Sequence, residues 1–222
     1  MKKASKNDVV PQAGGETGSL ISLIPIELRE LGDKFIPCAK TLEWLRTTFL
    51  DSKSPLYNVE HDHLNSAEMG VLWTNVPNSR HMRNIVATAE LCMPPGSLNK
   101  WGKARWWAQI ETWFGTTALD FILTFFAPYF VIAPVIEHLA VPDHELYHCG
   151  QKKDSFGLPM FRRTTGKPVF GLRGHDVEEF VGIYRRYGYT AGAGDSVALI
   201  EAANKSAEIG VAQIAGMCGT CR

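Results

Sequence analysis

Residues 121–136, FILTFFAPYFVIAPVI, constrain the fold of this chain more than any other stretch. The run is sixteen residues long, shorter than the roughly twenty that a helix needs to cross a bilayer. Pro128 and Pro134 also interrupt it. A membrane span is therefore not expected. Residues 118–126 are nearly all apolar, as in a strand covered on both faces, and the run then leads into a helix.

A chain of 222 residues is long enough for one sizeable domain with tails. Its 23 basic and 23 acidic residues cancel, so no global charge draws it to nucleic acid or an anionic membrane. The five cysteines, at 38, 92, 149, 218 and 221, are odd in number and scattered, and residues 1–19 lack the apolar segment of a secretory signal. Both features point to free thiols in a reducing cytoplasm, with no membrane partner.

Residues 1–19 are polar and rich in Gly, Ser and Lys, and read as a disordered tail. Loosely helical spacing covers residues 20–50, and residues 51–65 read as loop. Residues 69–76 and 85–92 read as strands joined into a β-hairpin with a long loop. Residues 101–112 suit a short amphipathic helix, and residues 134–150 a second helix that Pro142 complicates. Residues 151–174 form a loop of unusual length. Residues 176–187 are a clean helix, a hinge follows, and residues 196–214 are a weakly amphipathic last helix.

The chemistry concentrates in residues 142–150, PDHELYHCG, which contain H-E-x-x-H. Positions four apart share a helix face, so His144 and His148 can aim at a common metal ion. Glu145 is placed to take a proton from a water held by that metal, the arrangement of a hydrolytic Zn²⁺ site. Such a site wants a third protein ligand. His175, set after a glycine pair and just before the helix of residues 176–187, is the expected one. Asp176 beside it could instead orient a ligand or support one from behind. Pro142 either kinks the metal helix or lies in its first turn.

DHELYHCG followed by FGLRGHDVEEFVGIYRRYG resembles the metallopeptidase domain found in bacteriophage genomes, which shares its zinc logic with the SprT-like peptidases. The resemblance extends over roughly residues 56–189. It takes in His63-Leu64 with the strand after it, the apolar strand 119–125, the His175–Phe180 motif and Arg186-Tyr187-Gly188. It implies a small zincin-like α+β domain at residues 20–190, with a few-stranded sheet packed on the metal helix and a following helix. It also implies zinc at His144, His148 and His175, Glu145 as base, and a peptide or protein substrate in the host cytoplasm. Residues 119–125 would be the edge on which the substrate strand docks. A non-catalytic zinc-stabilised module that binds nucleic acid or a host-defence protein is the alternative, and a non-peptide amidase would use the same residues.

The remaining polar residues read as structural. Tyr147 packs beside the metal helix, Cys149 points off the metal face, His61 and His63 sit in a solvated loop, and His81 and His138 stand alone. Cys218 and Cys221 form half of a zinc knuckle with no second half in the chain, so residues 191–222 read as a helix and a frayed tail. Residues 151–173 carry six basic side chains against Asp154, a local charge that would suit nucleic acid.

Overall fold

The computed structural model describes residues 20–80, 82–176, 195–210, 212 and 217–220. By its internal contacts the chain divides into two units, residues 18–174 with 213–222, and residues 1–17 with 175–212. The first unit carries strands β1 (Phe35–Pro37), β2 (Met69–Thr74), β3 (Asn78–Arg80), β4 (Arg83–Ile85), β5 (Ala87–Leu91), β6 (Phe121–Phe126), β7 (Cys149–Gln151) and β8 (Phe170–Leu172). Its helices are α1 (Ala39–Leu45), α2 (Lys100–Phe114), α3 (Ala127–Ile132) and α4 (Glu137–His148). The second unit contains α5 (Asp195–Ala203). The fold is mixed α+β with small sheets, and no described helix is long and apolar enough to cross a membrane.

The main sheet has the order β1-β2-β6-β5. β2 runs parallel to β6, while β1 and β5 run antiparallel to their neighbours. The apolar strand is therefore interior, as expected, but it cannot be a docking edge. Both sides of β6 are taken by β2 and β5, so a peptide has no backbone groups there to pair with.

Alternation along the strands separates two cores. Met69, Val71, Trp73, Phe121, Leu123 and Phe125 pack with Leu45 and Phe49, with Phe130 of α3 and with Val141 and Leu146 of α4. On the other face Leu72 and Ile122 meet Ile110 of α2, with Trp106, Trp107 and Phe114 around them. A Cβ on Gly70 would lie 2.7 Å from the Phe114 ring, so this close approach requires glycine. Asn99 caps α2, accepting from Gly102 N–H, and Gly115 ends it with φ 69°.

Several expectations need correction. The segment 20–50 is not one long helix: 3₁₀ turns at Leu20–Leu23 and Ile26–Arg29 and strand β1 precede α1. Pro25 and Pro37 break the run, and Cys38 N–H is drawn into the sheet by Val71 O at 3.0 Å. β2 and β5 do not form a hairpin with each other, because β6 inserts between them. The local hairpin is β3–β4.

Residues 59–66 are a 3₁₀ segment rather than a solvated loop, and His61 within it is fully buried. Residues 151–173 are not a structureless loop either. β7 and β8 pair antiparallel, and bridges Lys153↔Pro159 and Phe161↔Pro168 fold the chain between them into two tighter turns that make up a long arm. The last helix ends at Ala203 instead of running to 214. Residues 1–19, His81, residues 177–194 with their expected helix and hinge, and Cys221 lie outside the described residues.

α4 runs through Pro142 rather than starting there. Its first turn forms upstream, where Glu137 N–H bonds Pro134 O at 2.9 Å and His138 N–H bonds Val135 O at 3.1 Å. Proline at 142 then deprives the His138 carbonyl of its usual helical donor. His138 does not stand alone: it is buried against the Phe130 ring, 5.7 Å between centroids.

Candidate metal centre

One turn of α4 carries His144, Glu145 and His148. The two imidazoles face each other with Nε2 atoms 3.2 Å apart and rings inclined at 79°. The orientation of His148 is fixed by a backbone carbonyl. His148 Nδ1 donates to Arg173 O at 2.7 Å, and a carbonyl only accepts, so Nδ1 holds the proton and Nε2 is the lone-pair nitrogen. Arg173 N–H returns a bond to His148 O at 2.9 Å. The foot of the hairpin arm is thus tied twice to the end of the helix.

The rest of the C-terminal end of α4 is equally well held. His63 Nε2 donates to Cys149 O at 2.7 Å, meeting one of the carbonyls that a helix end leaves open. His61 Nε2 stands 2.7 Å from Asp143 Oδ1, Asn58 donates to the Tyr147 hydroxyl at 2.9 Å, and the His61 and Tyr147 rings meet edge to face at 4.6 Å. These histidines position the metal helix and are not its ligands. Sequence spacing could not place them, because their partners lie more than eighty residues away.

Tyr147 and Cys149 sit as expected: the first packs beside the helix, and the second is buried with Sγ against Glu145 O. Burial, with the charge of Glu145 second, pushes the Cys149 thiol well up, so it stays a thiol.

Among the described residues of the first unit, the ligand atoms of His144, His148 and Cys218 lie within 4.8 Å of one another. Two of the three expected ligands come from one helix face. The third, His175, follows two residues after the tethered Arg173. Cys218 is the residue that sequence reasoning missed. Its Sγ lies 3.2 Å from His148 Nε2, seventy residues away in the chain. The terminal C-x-x-C was a visible signal, but with no second pair it read as a frayed end.

Glu145 is fully buried. Its Oε2 accepts from the Thr220 hydroxyl at 2.9 Å, while among the described residues Oε1 has no hydrogen-bond partner. Burial first, and the charge of Cys218 second, lift its carboxyl to about 8. A bare carboxylate is poorly tolerated in such a place unless a cation stands nearby. The donor set therefore fits a bound metal ion: imidazole nitrogens and a thiol converge, and a carboxylate beside them lacks half its partners.

In this α+β unit, histidines converge on one side of a buried glutamate, a donor set that could hold a metal ion. The family described as "Putative phage metallopeptidase" matches residues 42–204, and the chain belongs to that family. No curated protein and no solved structure matches it.

Proposed function

We propose that this protein is a zinc-dependent peptidase, with His144, His148 and His175 as zinc ligands and Glu145 as the base. The observation that carries the reading is the pair of Nε2 atoms 3.2 Å apart beside a buried carboxylate with one unpartnered oxygen. Two nitrogens at zinc distance in a tetrahedral shell stand about 3.3 Å apart. Zinc, when bound, supplies Lewis acidity to a peptide carbonyl and lowers the pKa of its water. Glu145 takes the proton of the attacking water and delivers it to the departing amine, which asks for a carboxyl with a pKa near the working pH. The cysteine content supports action in a reducing compartment such as a host cytoplasm.

One observation favours the alternative of a non-catalytic, zinc-stabilised module. A fourth donor, Cys218, closes the ligand set, and closed sets are typical of structural zinc. Metal content by mass spectrometry, in wild type and His175→Ala, tests the ligand assignment. One zinc per chain, lost in the variant, is the expected outcome. Glu145→Gln then separates the readings, because it should abolish hydrolysis and leave zinc in place. A biological effect that survives in Glu145→Gln rules out catalysis as the function.

A nucleic-acid partner for the hairpin arm rests on its charge alone. Salt-sensitive DNA binding that disappears in Arg162→Ala/Arg163→Ala would carry it, and no binding at low salt ends it.

A further inference from the structure

The last described residues, 217–220, do what a substrate would have to do. They lie along the outer side of β5, whose inner side is taken by β6. Val86 N–H donates to Met217 O at 2.9 Å, and Gly219 N–H donates to Ala87 O at 3.0 Å. Ala89 N–H donates to the Thr220 hydroxyl at 2.7 Å. Cys218 bridges Ala87 in parallel sense. The short segment thus lies on the sheet edge, joined to β5 by one bridge, the way an extended peptide begins to pair with such an edge.

The same four residues reach both working parts of the centre. Cys218 Sγ stands 3.2 Å from His148 Nε2, and the Thr220 hydroxyl is bonded to Glu145 Oε2 at 2.9 Å. The glycine between them fits closely. A Cβ on Gly219 would come within 2.5 Å of Cγ2 of both Ile85 and Thr88, and these are branched carbons with little freedom to move aside. The family match ends at residue 204, so the segment lies outside the part of the chain shared with the family.

We propose that residues 217–220 are a built-in occupant of the substrate site, in which Cys218 is a displaceable fourth metal donor and the outer edge of β5 is the seat of an extended peptide. The proposal rests on the metallopeptidase reading above. Edge pairing, the metal position opposite the histidines and a hydrogen bond to the Glu145 carboxylate are three things a peptide substrate needs, and the tail takes all three at once. Among the described residues no disulfide holds it there, and Cys218 is a free thiol. A peptide must therefore compete with the tail for the same backbone groups, and removing the tail raises both metal exposure and peptide access.

The test uses the full chain loaded with Co²⁺, whose thiolate ligation gives a charge-transfer band in the near ultraviolet. Wild type, Cys218→Ser and Gly219→Ala are compared for cobalt per chain, for that band and for alkylation of Cys218 by iodoacetamide. Labelled casein serves as a general peptide probe. Circular dichroism confirms that each variant is folded. The expected result is one cobalt in all three proteins, with the band present in wild type alone. In Gly219→Ala, alkylation of Cys218 should be faster by about tenfold or more, because a metal-held thiolate is shielded. Casein should be cleaved faster by both variants.

A wild type that binds cobalt without the band overturns the proposal and leaves the three-histidine centre standing. Loss of cobalt in folded Cys218→Ser also overturns it, because the cysteine is then a structural ligand. Failure of folded wild type to bind cobalt at all overturns the metal reading itself, and the proposal with it.

Discussion

The two edges of the main sheet are protected in opposite ways. β1 is three residues long and ends at Pro37. Cys38 N–H faces inward to Val71 O, so alternation turns the nitrogen of residue 37 outward, where proline has no hydrogen to offer. That edge is closed permanently by its own sequence. β5 is five residues long, and its outward N–H and C=O groups are intact but covered by residues 217–220. A covering segment can be exchanged for another strand, whereas a proline cannot be exchanged for anything. The contrast separates an edge kept shut from an edge kept in reserve beside the candidate metal centre.

The largest effect should come from the side where chemistry is proposed. Glu145→Gln is expected to lower hydrolysis by about 10²–10⁴-fold with metal content unchanged, measured by peptide cleavage and mass spectrometry. An equal loss from a change on the β1 side would dissolve the distinction between the edges. Next comes the strand that both edges depend on. Phe125→Ala in β6 removes a fully buried ring that packs on Trp73 and Phe130, and thermal or urea denaturation should show a loss of about 3–5 kcal/mol.

A smaller effect concerns acidity. In metal-free protein the Glu145 carboxyl is raised to about 8, so the folded state prefers it protonated. Stability is then full below the ordinary carboxylate pKa and falls as pH rises towards 8. Glu145→Gln lacks this loss and should be more stable than metal-free wild type by about 1–3 kcal/mol at pH 8, with little difference at pH 4. Added zinc should narrow the gap. The smallest effect is expected at the other edge. Pro37→Val should change stability by no more than about 0.5 kcal/mol. It should nonetheless promote self-association, visible by size-exclusion chromatography, because it supplies the missing edge donor.

How far the sequence discloses this arrangement depends on how local each cause is. H-E-x-x-H is a helix-face pattern, so His144, Glu145 and His148 could be placed on one turn without coordinates. The interior position of β6 was legible from its unbroken apolar run, and α2 from its spacing. What stayed hidden depends on distant pairing. Nothing near residues 69–92 announces that a strand from 121–126 will separate β2 from β5. Nothing near His61 or His63 points to Asp143 or Cys149. Cys218 illustrates the same limit, because its place is set by β5 and by Gly219 rather than by any pattern around it.

The two bonds between His148 and Arg173 have an engineering consequence. They fasten the hairpin arm at its base, so the distance along the chain from residue 152 to residue 169 hardly matters to the residues outside it. The closure cost of such a loop grows only slowly with its length. The exposed turn around Thr164 and Thr165 is therefore a natural insertion point for an epitope or a fluorescent reporter. The arm is a graft site whose contents can change while its anchorage stays fixed.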